Sequence, residues 1–347
     1  MERTNRRVLS PLRRLVTWER GQNYPFNGCM AYLMERLGED PRFDYWFFTV
    51  VTGETFTQVH RNGCAGVPGT LTYGLSQMAF DEAFVRQAFD ACGYDVDLVD
   101  ADAIRRDPAA QFERIACCID RGLPVIAKGF AGVEGAAEAE CGRDFCTICG
   151  YDRDRQSLLL LCWDLREPLE QTGLLDAASA LLFVGDKKHA PPIEALYRQA
   201  IEGIPACLTR PAQNGATFGR QAFVDWADSL VDGSLAAVPA DALDVWDCHG
   251  VYLCILGTNC YVRVLLTQLY QTCPALADQA DLIALTNRLS PLYEQENVLF
   301  HELLELEGGF GVPAERLRDP AAMRPVAEKI RALVDCCDRI MQVFRQS

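Results

Sequence analysis

The first half of the chain contains short apolar runs typical of strands and apolar residues at the spacing of helices. Together they predict an α+β fold. Strands are predicted where β-branched and aromatic residues cluster, or where turn residues bound a short apolar run. Helices are predicted where apolar residues recur at steps of three and four. The predicted strands are 43–51, 94–99, 122–128, 145–151, 157–163 and 181–184, and the predicted helices are 29–37, 80–89 and 102–121. The polar link 152–156 predicts a hairpin between the strands on either side of it.

The second half is predicted to be helical almost throughout. Polar residues and a proline pair end the β-rich part at 185–192, and prolines commonly open the next helix. The last segment is the clearest helix, because nine apolar residues between Met323 and Phe344 form one stripe at helical spacing. A chain of 347 residues is also long for one core. The predicted organisation is therefore an α+β domain over 1–187 followed by an all-helical domain over 188–347.

A glutamine and a cysteine mark the start of the first predicted helix. Gln22 lies seven residues before Cys29, Asn27 is a suitable N-cap, and Gly38 supplies a left-handed C-terminal stop. Cys29 is therefore expected on the first turn, where unpaired backbone N–H groups and the helix dipole favour a thiolate. The alternative interpretation is a buried cysteine opening an ordinary helix, since the chain contains 16 cysteines.

Composition and charge narrow the class of protein. Hydrophobic residues at 49% and charged residues at 23% are typical of a globular protein. The net charge of −15 argues against nucleic acid and anionic membranes as partners, because both favour a basic surface. No apolar segment follows the basic N-terminus, and no uninterrupted apolar run of about 18 residues predicts a spanning helix. Adjacent cysteines within helical patterns, at 117–118 and 336–337, favour reduced thiols and a cytoplasmic location.

Three short motifs follow the cysteine-headed helix in order: Gly122-Leu-Pro-Val, Gly150-Tyr-Asp and Trp163-Asp. With them, the first domain resembles the papain-like fold of bacteriocin-processing cysteine peptidases. It resembles more closely the butirosin-biosynthesis protein H N-terminal family, whose namesake is a thiol acyltransferase. Residues 218–230 are similar to the Gly-x-x-Ala-[Tyr/Phe]-x-x-Trp-x-x-x-Leu helix of multi-helix companions to that domain. The resemblance covers most of the chain and implies a papain-like domain followed by a helical one.

Carried over residue by residue, the resemblance places the nucleophile at Cys29, an oxyanion-binding side chain at Gln22 and the orienting acid at Asp164. In such peptidases the base is a histidine six residues before the glycine of the Gly-Tyr-Asp motif, and here that position is Asp144. A carboxyl group with a pKa of about 4 is a poor base at neutral pH. Beside a thiolate it would also raise the pKa of the cysteine through like-charge repulsion. The usual Cys–His pair is therefore predicted to be missing.

The chain has only four histidines that could replace the missing base. His60, on a loop-like segment of the first domain, is the one candidate, although a surface histidine is the ordinary explanation for it. His189 falls in the predicted linker, and His249 and His301 fall within helical patterns where packing or solvent-exposed roles are expected.

Cysteine spacing offers a rival interpretation. Cys141-x4-Cys146-x2-Cys149 has the spacing of the first three ligands of a plant-type ferredoxin cluster. Residues 145–151 are predicted as a strand, however, and a strand would turn Cys146 and Cys149 to opposite faces. No metal ion or other cofactor is therefore predicted.

Two functional hypotheses remain open. In the first, which we favour, the papain-like scaffold has lost its base and binds a small molecule or peptide. Four aromatic residues could line its cleft, or could simply be core: Tyr45, Trp46, Phe47 and Phe56. In the second, Cys29 is a nucleophile for acyl transfer or amide hydrolysis. The long helical half also leaves a homodimer open.

Overall fold

The computed structural model describes residues 5–61, 82–129, 145–189, 191–213, 215–266 and 276–346. These residues form two compact units, the first from 5–49 and 82–191 and the second from 50–61 and 192–346. The protein is mixed α+β with a helical C-terminal region, as predicted. The predicted boundary at 187/188 lies close to the division at 191/192, and the structure adds that 50–61 belongs to the second unit.

Nine strands and thirteen helices occur in the described residues. The strands are β1 (Arg6–Val8), β2 (Val59–Arg61), β3 (Tyr94–Asp100), β4 (Val125–Lys128), β5 (Phe145–Asp152), β6 (Ser157–Leu161), β7 (Leu169–Thr172), β8 (Ala180–Lys187) and β9 (Ala216–Phe218). The helices are α1 (Pro25–Leu37), α2 (Tyr45–Val51), α3 (Glu82–Ala91), α4 (Ala101–Arg106), α5 (Pro108–Asp120), α6 (Leu174–Ala177), α7 (Ile193–Glu202), α8 (Ile204–Leu208), α9 (Gly219–Ser229), α10 (Val251–Leu266), α11 (Ala280–Glu307), α12 (Ala314–Leu317) and α13 (Pro320–Arg345).

A seven-stranded antiparallel sheet is the core of the first unit. Its order is β3-β8-β4-β5-β6-β7, and β1 pairs with β5 beyond the end of β4. All eight residues of β5 are buried, and both α1 and α5 pack on this strand. A strand buried along its whole length is covered on both faces. The hairpin predicted across 152–156 is confirmed, since β5 and β6 pair antiparallel there.

The segment 43–51 corrects one sequence prediction. It was predicted as a strand because it is rich in aromatic and β-branched residues, but it forms the helix α2. The Asp44 carboxylate accepts the backbone N–H of Phe47 at 2.8 Å, which caps the start of the helix. Every α2 residue except the half-buried Trp46 is buried. A helix that is apolar on nearly every side is stable only when surrounded by protein, and tertiary burial here outweighs β propensity.

The segment 102–121 corrects a second prediction, because it forms two helices where one was predicted. The break lies at Asp107, whose side chain accepts the backbone N–H of Ala110 at 2.9 Å. Pro108 occupies the first position of α5 and cannot continue the preceding helix. The dipeptide Asp-Pro was therefore a local stop and start signal within a continuous apolar pattern.

The second unit is built from long helices and one short strand pair. Helix α11 packs against α10 and α13, and α13 packs against α9. The predicted stripe on the last helix is largely buried, from Met323 to Ile340. This unit is not purely helical, because β2 pairs antiparallel with β9.

Helix α10 and the turn before it form a long and largely apolar helical stretch. The stretch Cys248–Leu266 has the length and composition of a membrane-crossing helix, a candidate that the sequence pattern did not predict. Of this stretch, 72% is buried inside the structure, as in the core helix of a globular unit. Two of its polar residues, Asn259 and Arg263, are also buried.

The buried Arg263 explains why 50–61 belongs to the second unit. Its Nε donates to the carbonyl of Thr55 at 2.6 Å, and its Nη1 donates to the Glu296 carboxylate at 2.8 Å. About one turn before Arg263 on α10, Asn259 donates to the carbonyl of Thr57, and about three turns before it the Tyr252 carbonyl accepts from Gln58. Burial would lower the pKa of Arg263, but Glu296 raises it, so the guanidinium stays charged. The segment 55–58 is therefore held along α10 by side-chain to backbone hydrogen bonds.

The substitution Glu296→Gln tests this ion pair. It keeps the side-chain size but leaves the Arg263 charge buried without a counter-ion. Removing one partner of a buried pair typically lowers the free energy of unfolding by about 3–5 kcal/mol. Asp228→Asn is the control, because the Asp228–Arg331 pair is exposed and is expected to contribute less than about 1 kcal/mol. Urea denaturation followed by circular dichroism gives both values, and equal small losses would contradict the assigned role.

Candidate functional site

Cys29 lies in the second turn of α1, not in the first. Tyr24 is the N-cap and Pro25 the first helical residue, so Cys29 is the fifth residue of the helix. Proline suits the first position, because the N–H it lacks would be unpaired there. The predicted N-cap Asn27 is therefore wrong: it lies inside the helix, and its Nδ2 donates to Thr49 Oγ1 at 3.0 Å. The left-handed stop at Gly38 is confirmed, with φ of 74°.

Backbone donors at the start of α1 are bound by a side chain from α2. The Tyr45 hydroxyl oxygen accepts the N–H of Asn23 at 2.9 Å and the N–H of Tyr24 at 2.8 Å. The N–H groups at a helix N-terminus are those that would otherwise stabilise an anion. In this structure the Tyr45 phenol oxygen, from the same unit, binds one of them, the N–H of the N-cap Tyr24, and also the N–H of Asn23 just before the helix.

The backbone of 15–16 closes the other side of the Cys29 turn. A Cβ placed on Gly28 would lie 1.8 Å from the Leu15 carbonyl oxygen, so only glycine fits beside this segment. The N–H groups of Leu15 and Val16 donate to the Trp163 carbonyl at 3.1 and 3.2 Å. Cys29 itself has 0% of its surface exposed. The thiol that the sequence marked as a nucleophile is thus fully enclosed.

The structure brings Gln22 and Asp164 into the same unit as Cys29. Gln22 is buried at 9% exposure on the segment that leads into α1. Asp164 follows Trp163, whose carbonyl binds the segment packed against Gly28. The Asp164 carboxylate forms an ion pair with Arg14 Nη1 at 2.7 Å. The acid predicted to orient a histidine is therefore paired with an arginine.

Asp144, the residue at the family's histidine position, lies outside the described residues. The next residue, Phe145, packs its ring against that of Phe26 in α1, with ring centroids 4.8 Å apart. The start of β5 therefore adjoins the helix that carries Cys29.

The predicted substitute base, His60, belongs to the second unit. It lies on β2, is 4% exposed, and its ring centroid is 5.1 Å from that of Tyr252. It was predicted on a loop of the first domain, and the structure corrects both expectations. The first unit contains one histidine in its sequence, His189, and this residue is exposed after the end of β8.

His249 is fully buried and bound on both ring nitrogens. The Trp226 indole N–H donates to Nδ1 at 2.9 Å, and the Glu307 carboxylate lies 2.8 Å from Nε2. An indole N–H can only donate, so Nδ1 is the acceptor and Nε2 carries the proton. The sequence left packing and solvent-exposed roles open for His249, and the structure places it in a buried hydrogen-bonded cluster.

The aromatic residues considered for a ligand cleft are mostly core. Tyr45, Phe47 and Phe56 are each at most 2% exposed, and Phe56 belongs to the second unit. Trp46 is half-buried and makes an edge contact with Tyr45 at 4.9 Å between ring centroids. These rings therefore stabilise the fold around α1 and α2.

The cysteine cluster considered for a metal falls partly on β5. Cys146 and Cys149 lie in that strand, as predicted, and both are buried, whereas Cys141 lies outside the described residues. Burial raises the pKa of the Cys149 thiol to about 12. Within the described ranges, no group of three or more His, Cys, Asp or Glu side chains is arranged to hold a metal ion.

Sequence reasoning missed the three polar contacts that organise these regions: the Tyr45 hydroxyl, the Arg263–Glu296 pair and the Trp226–His249–Glu307 cluster. One of them had a visible signal. Arg263 is the single charged residue in the apolar run 251–266, and a lone charge in such a run indicates a buried partner. The other two join segments far apart in the chain and had no local signature.

Comparisons with known proteins identify no relative: no protein-family model matches the chain, and no curated protein is significantly similar to it.

Tyr45→Phe tests the closure of the α1 terminus. Loss of the hydroxyl leaves the buried N–H of Tyr24 and the part-buried N–H of Asn23 without this acceptor, and the buried group alone costs about 1–3 kcal/mol. Tyr32→Phe is the matched control, because the Tyr32 hydroxyl makes one part-buried bond to the Pro11 carbonyl. We expect the Tyr45 variant to lose about twice the free energy of unfolding or more in urea denaturation. A smaller loss than in the Tyr32 variant would show that this hydroxyl does not hold the helix start.

Proposed function

We propose that this protein binds a small molecule or peptide and does not use Cys29 as a catalyst. In this proposal the first unit is a papain-like scaffold of the kind found in the butirosin-biosynthesis protein H family, kept for binding after loss of the base. The observation that supports it most is the complete burial of Cys29, whose neighbour Gly28 packs against the Leu15 backbone. A nucleophile must be reached by its substrate, and this thiol is enclosed.

The groups around Cys29 also argue for binding. A cysteine nucleophile needs a base within hydrogen-bond reach, at about 2.6–3.2 Å or slightly more. The family's histidine position holds Asp144, and the sole histidine in the sequence of this unit, His189, is exposed at its end. Asp164 is paired with Arg14. The residues that would complete a catalytic group thus have other partners or are of another type.

The position of Cys29 in its helix gives a second physical argument. Helix-dipole stabilisation of a thiolate is strongest at the first turn and falls off beyond it. Cys29 lies past that turn, and the donors before it bind the Tyr45 hydroxyl. A buried thiol in this position behaves as a small apolar side chain.

A reducing, cytoplasmic environment is part of the same proposal. The adjacent Cys336 and Cys337 are both fully buried in α13, where they pack as small apolar residues. Free thiols used in this way are typical of proteins kept reduced.

Peptide-mapped iodoacetamide labelling of the folded protein tests the proposal. Cys117 is exposed and serves as the internal control, and its neighbour Cys118 is buried. We expect Cys117 to be alkylated first at every pH between about 5 and 9, and Cys29 to react only when the protein is unfolded. Mass spectrometry of the labelled peptides separates the individual thiols.

The opposite result would identify an enzyme. If Cys29 reacts faster than Cys117, and its rate titrates well below the reference thiol pKa of about 8.5, then Cys29 is an activated nucleophile. The protein would then be assigned to acyl transfer or amide hydrolysis, and the binding proposal would be wrong.

A further inference from the structure

Three large apolar side chains are exposed together at one end of the second unit. Trp246 is 44% exposed, Phe310 is 41% exposed and Leu306 is 39% exposed. Trp246 and Phe310 meet at Gly250, because a Cβ there would lie 2.7 Å from the Trp246 ring and 2.8 Å from the Phe310 carbonyl oxygen. Leu306 lies four residues before Phe310 at the end of α11. We call Trp246, Leu306 and Phe310 the Trp246 patch.

Buried hydrogen bonds hold the two segments of the Trp246 patch together. Trp246 lies on a π-helical turn, Trp246–Gly250, that also contains His249. Leu306 is followed directly by Glu307, whose carboxylate binds His249 Nε2 at 2.8 Å, and His249 Nδ1 accepts from Trp226. All three members of this cluster are buried. A surface fixed from beneath loses little freedom when a partner binds, and π-helical turns are frequent at functional sites.

The part of the chain that carries most of the Trp246 patch is strongly acidic. Residues 225–307 contain thirteen Asp and Glu against two Arg. One of those arginines, Arg263, is buried against Glu296, so it contributes no positive surface. Asp241, Glu294 and Glu305 are exposed on this part of the chain, and in the described residues none of them forms an ion pair. Of these, Glu305 directly precedes Leu306 in α11, and an apolar surface next to such a carboxylate fits a partner that combines apolar and basic side chains.

We propose that the Trp246 patch docks a cationic amphipathic segment of another protein. An apolar side chain of the partner seats among Trp246, Leu306 and Phe310, while its Lys or Arg side chains face carboxylates such as Glu305. Tryptophan is the residue type most enriched at the energetic centres of interfaces. A second copy of this chain fits less well, because a symmetric contact would bring the same acidic surface against itself. The proposal does not depend on whether Cys29 is catalytic.

The test uses the full chain and a fluorescently labelled amphipathic peptide of Leu and Lys, with a Leu and Glu peptide of equal length as the charge control. Fluorescence anisotropy is expected to show binding of the Lys peptide and much weaker binding of the Glu peptide. Raising the ionic strength from about 0.05 M to about 0.5 M is expected to weaken binding, since exposed charges are then screened.

Three variants locate the binding to the patch. Trp246→Ser is expected to raise the Kd for the Lys peptide about tenfold or more, the effect of losing a central aromatic anchor. Val8→Ser is the matched control, because Val8 is an exposed apolar residue of the first unit, and its Kd is expected to stay unchanged. Glu305→Lys leaves the apolar side chains in place. It is expected to raise the Kd for the Lys peptide and to lower the Kd for the Glu peptide. Circular dichroism checks that each variant is folded.

Three outcomes would overturn the proposal. The first is equal affinity of the wild type and a folded Trp246→Ser variant for the Lys peptide. The second is equal affinity of the two peptides for the wild type. The third is a wild type that does not bind the peptide but forms a dimer in sedimentation velocity, which Trp246→Ser converts to a monomer. That result would assign the patch to a second copy of this chain.

Discussion

A charge removed from water must be paired, and in the second unit this requirement connects parts of the chain that are far apart. Arg263 is buried on α10 and forms an ion pair with Glu296 on α11. Its Nε also donates to the Thr55 carbonyl, 208 residues earlier in sequence. Together with the bond from Asn259 to Thr57, this contact holds the segment after α2 within the helical unit. The discontinuous organisation of the chain follows from satisfying one guanidinium and a few backbone carbonyls.

In the first unit, a comparable closure surrounds the residue most suggestive of chemistry. Glycine at position 28 lets the Leu15 backbone approach α1, and Tyr45 occupies the donors at the helix start. Both contacts stabilise the fold close to Cys29, which is fully buried. They support the proposal that Cys29 contributes through packing and that the unit binds a ligand.

The two proposals concern different parts of the molecule and rest on different physics. Cys29 is buried, and the polar groups around it have other partners. At the Trp246 patch the opposite holds, because large apolar side chains are exposed to solvent next to a buried, hydrogen-bonded cluster. An exposed apolar surface with rigid support beneath it is suited to binding a partner, because little further conformational entropy is lost when the partner binds.

Local sequence patterns were enough to predict several secondary-structure elements of this protein. The β5–β6 hairpin, helix α3, the stop at Gly38 and the buried stripe of α13 all depend on periodicity or turn chemistry within a few residues. The sequence also placed Gln22, Cys29 and Asp164 in one unit, but not their surroundings. Tertiary structure decided that 43–51 is a helix, that His60 lies in the other unit and that Cys29 is enclosed. Each of these depends on contacts between residues distant in the chain, where the burial of a neighbour outweighs propensity and no local pattern records the partner.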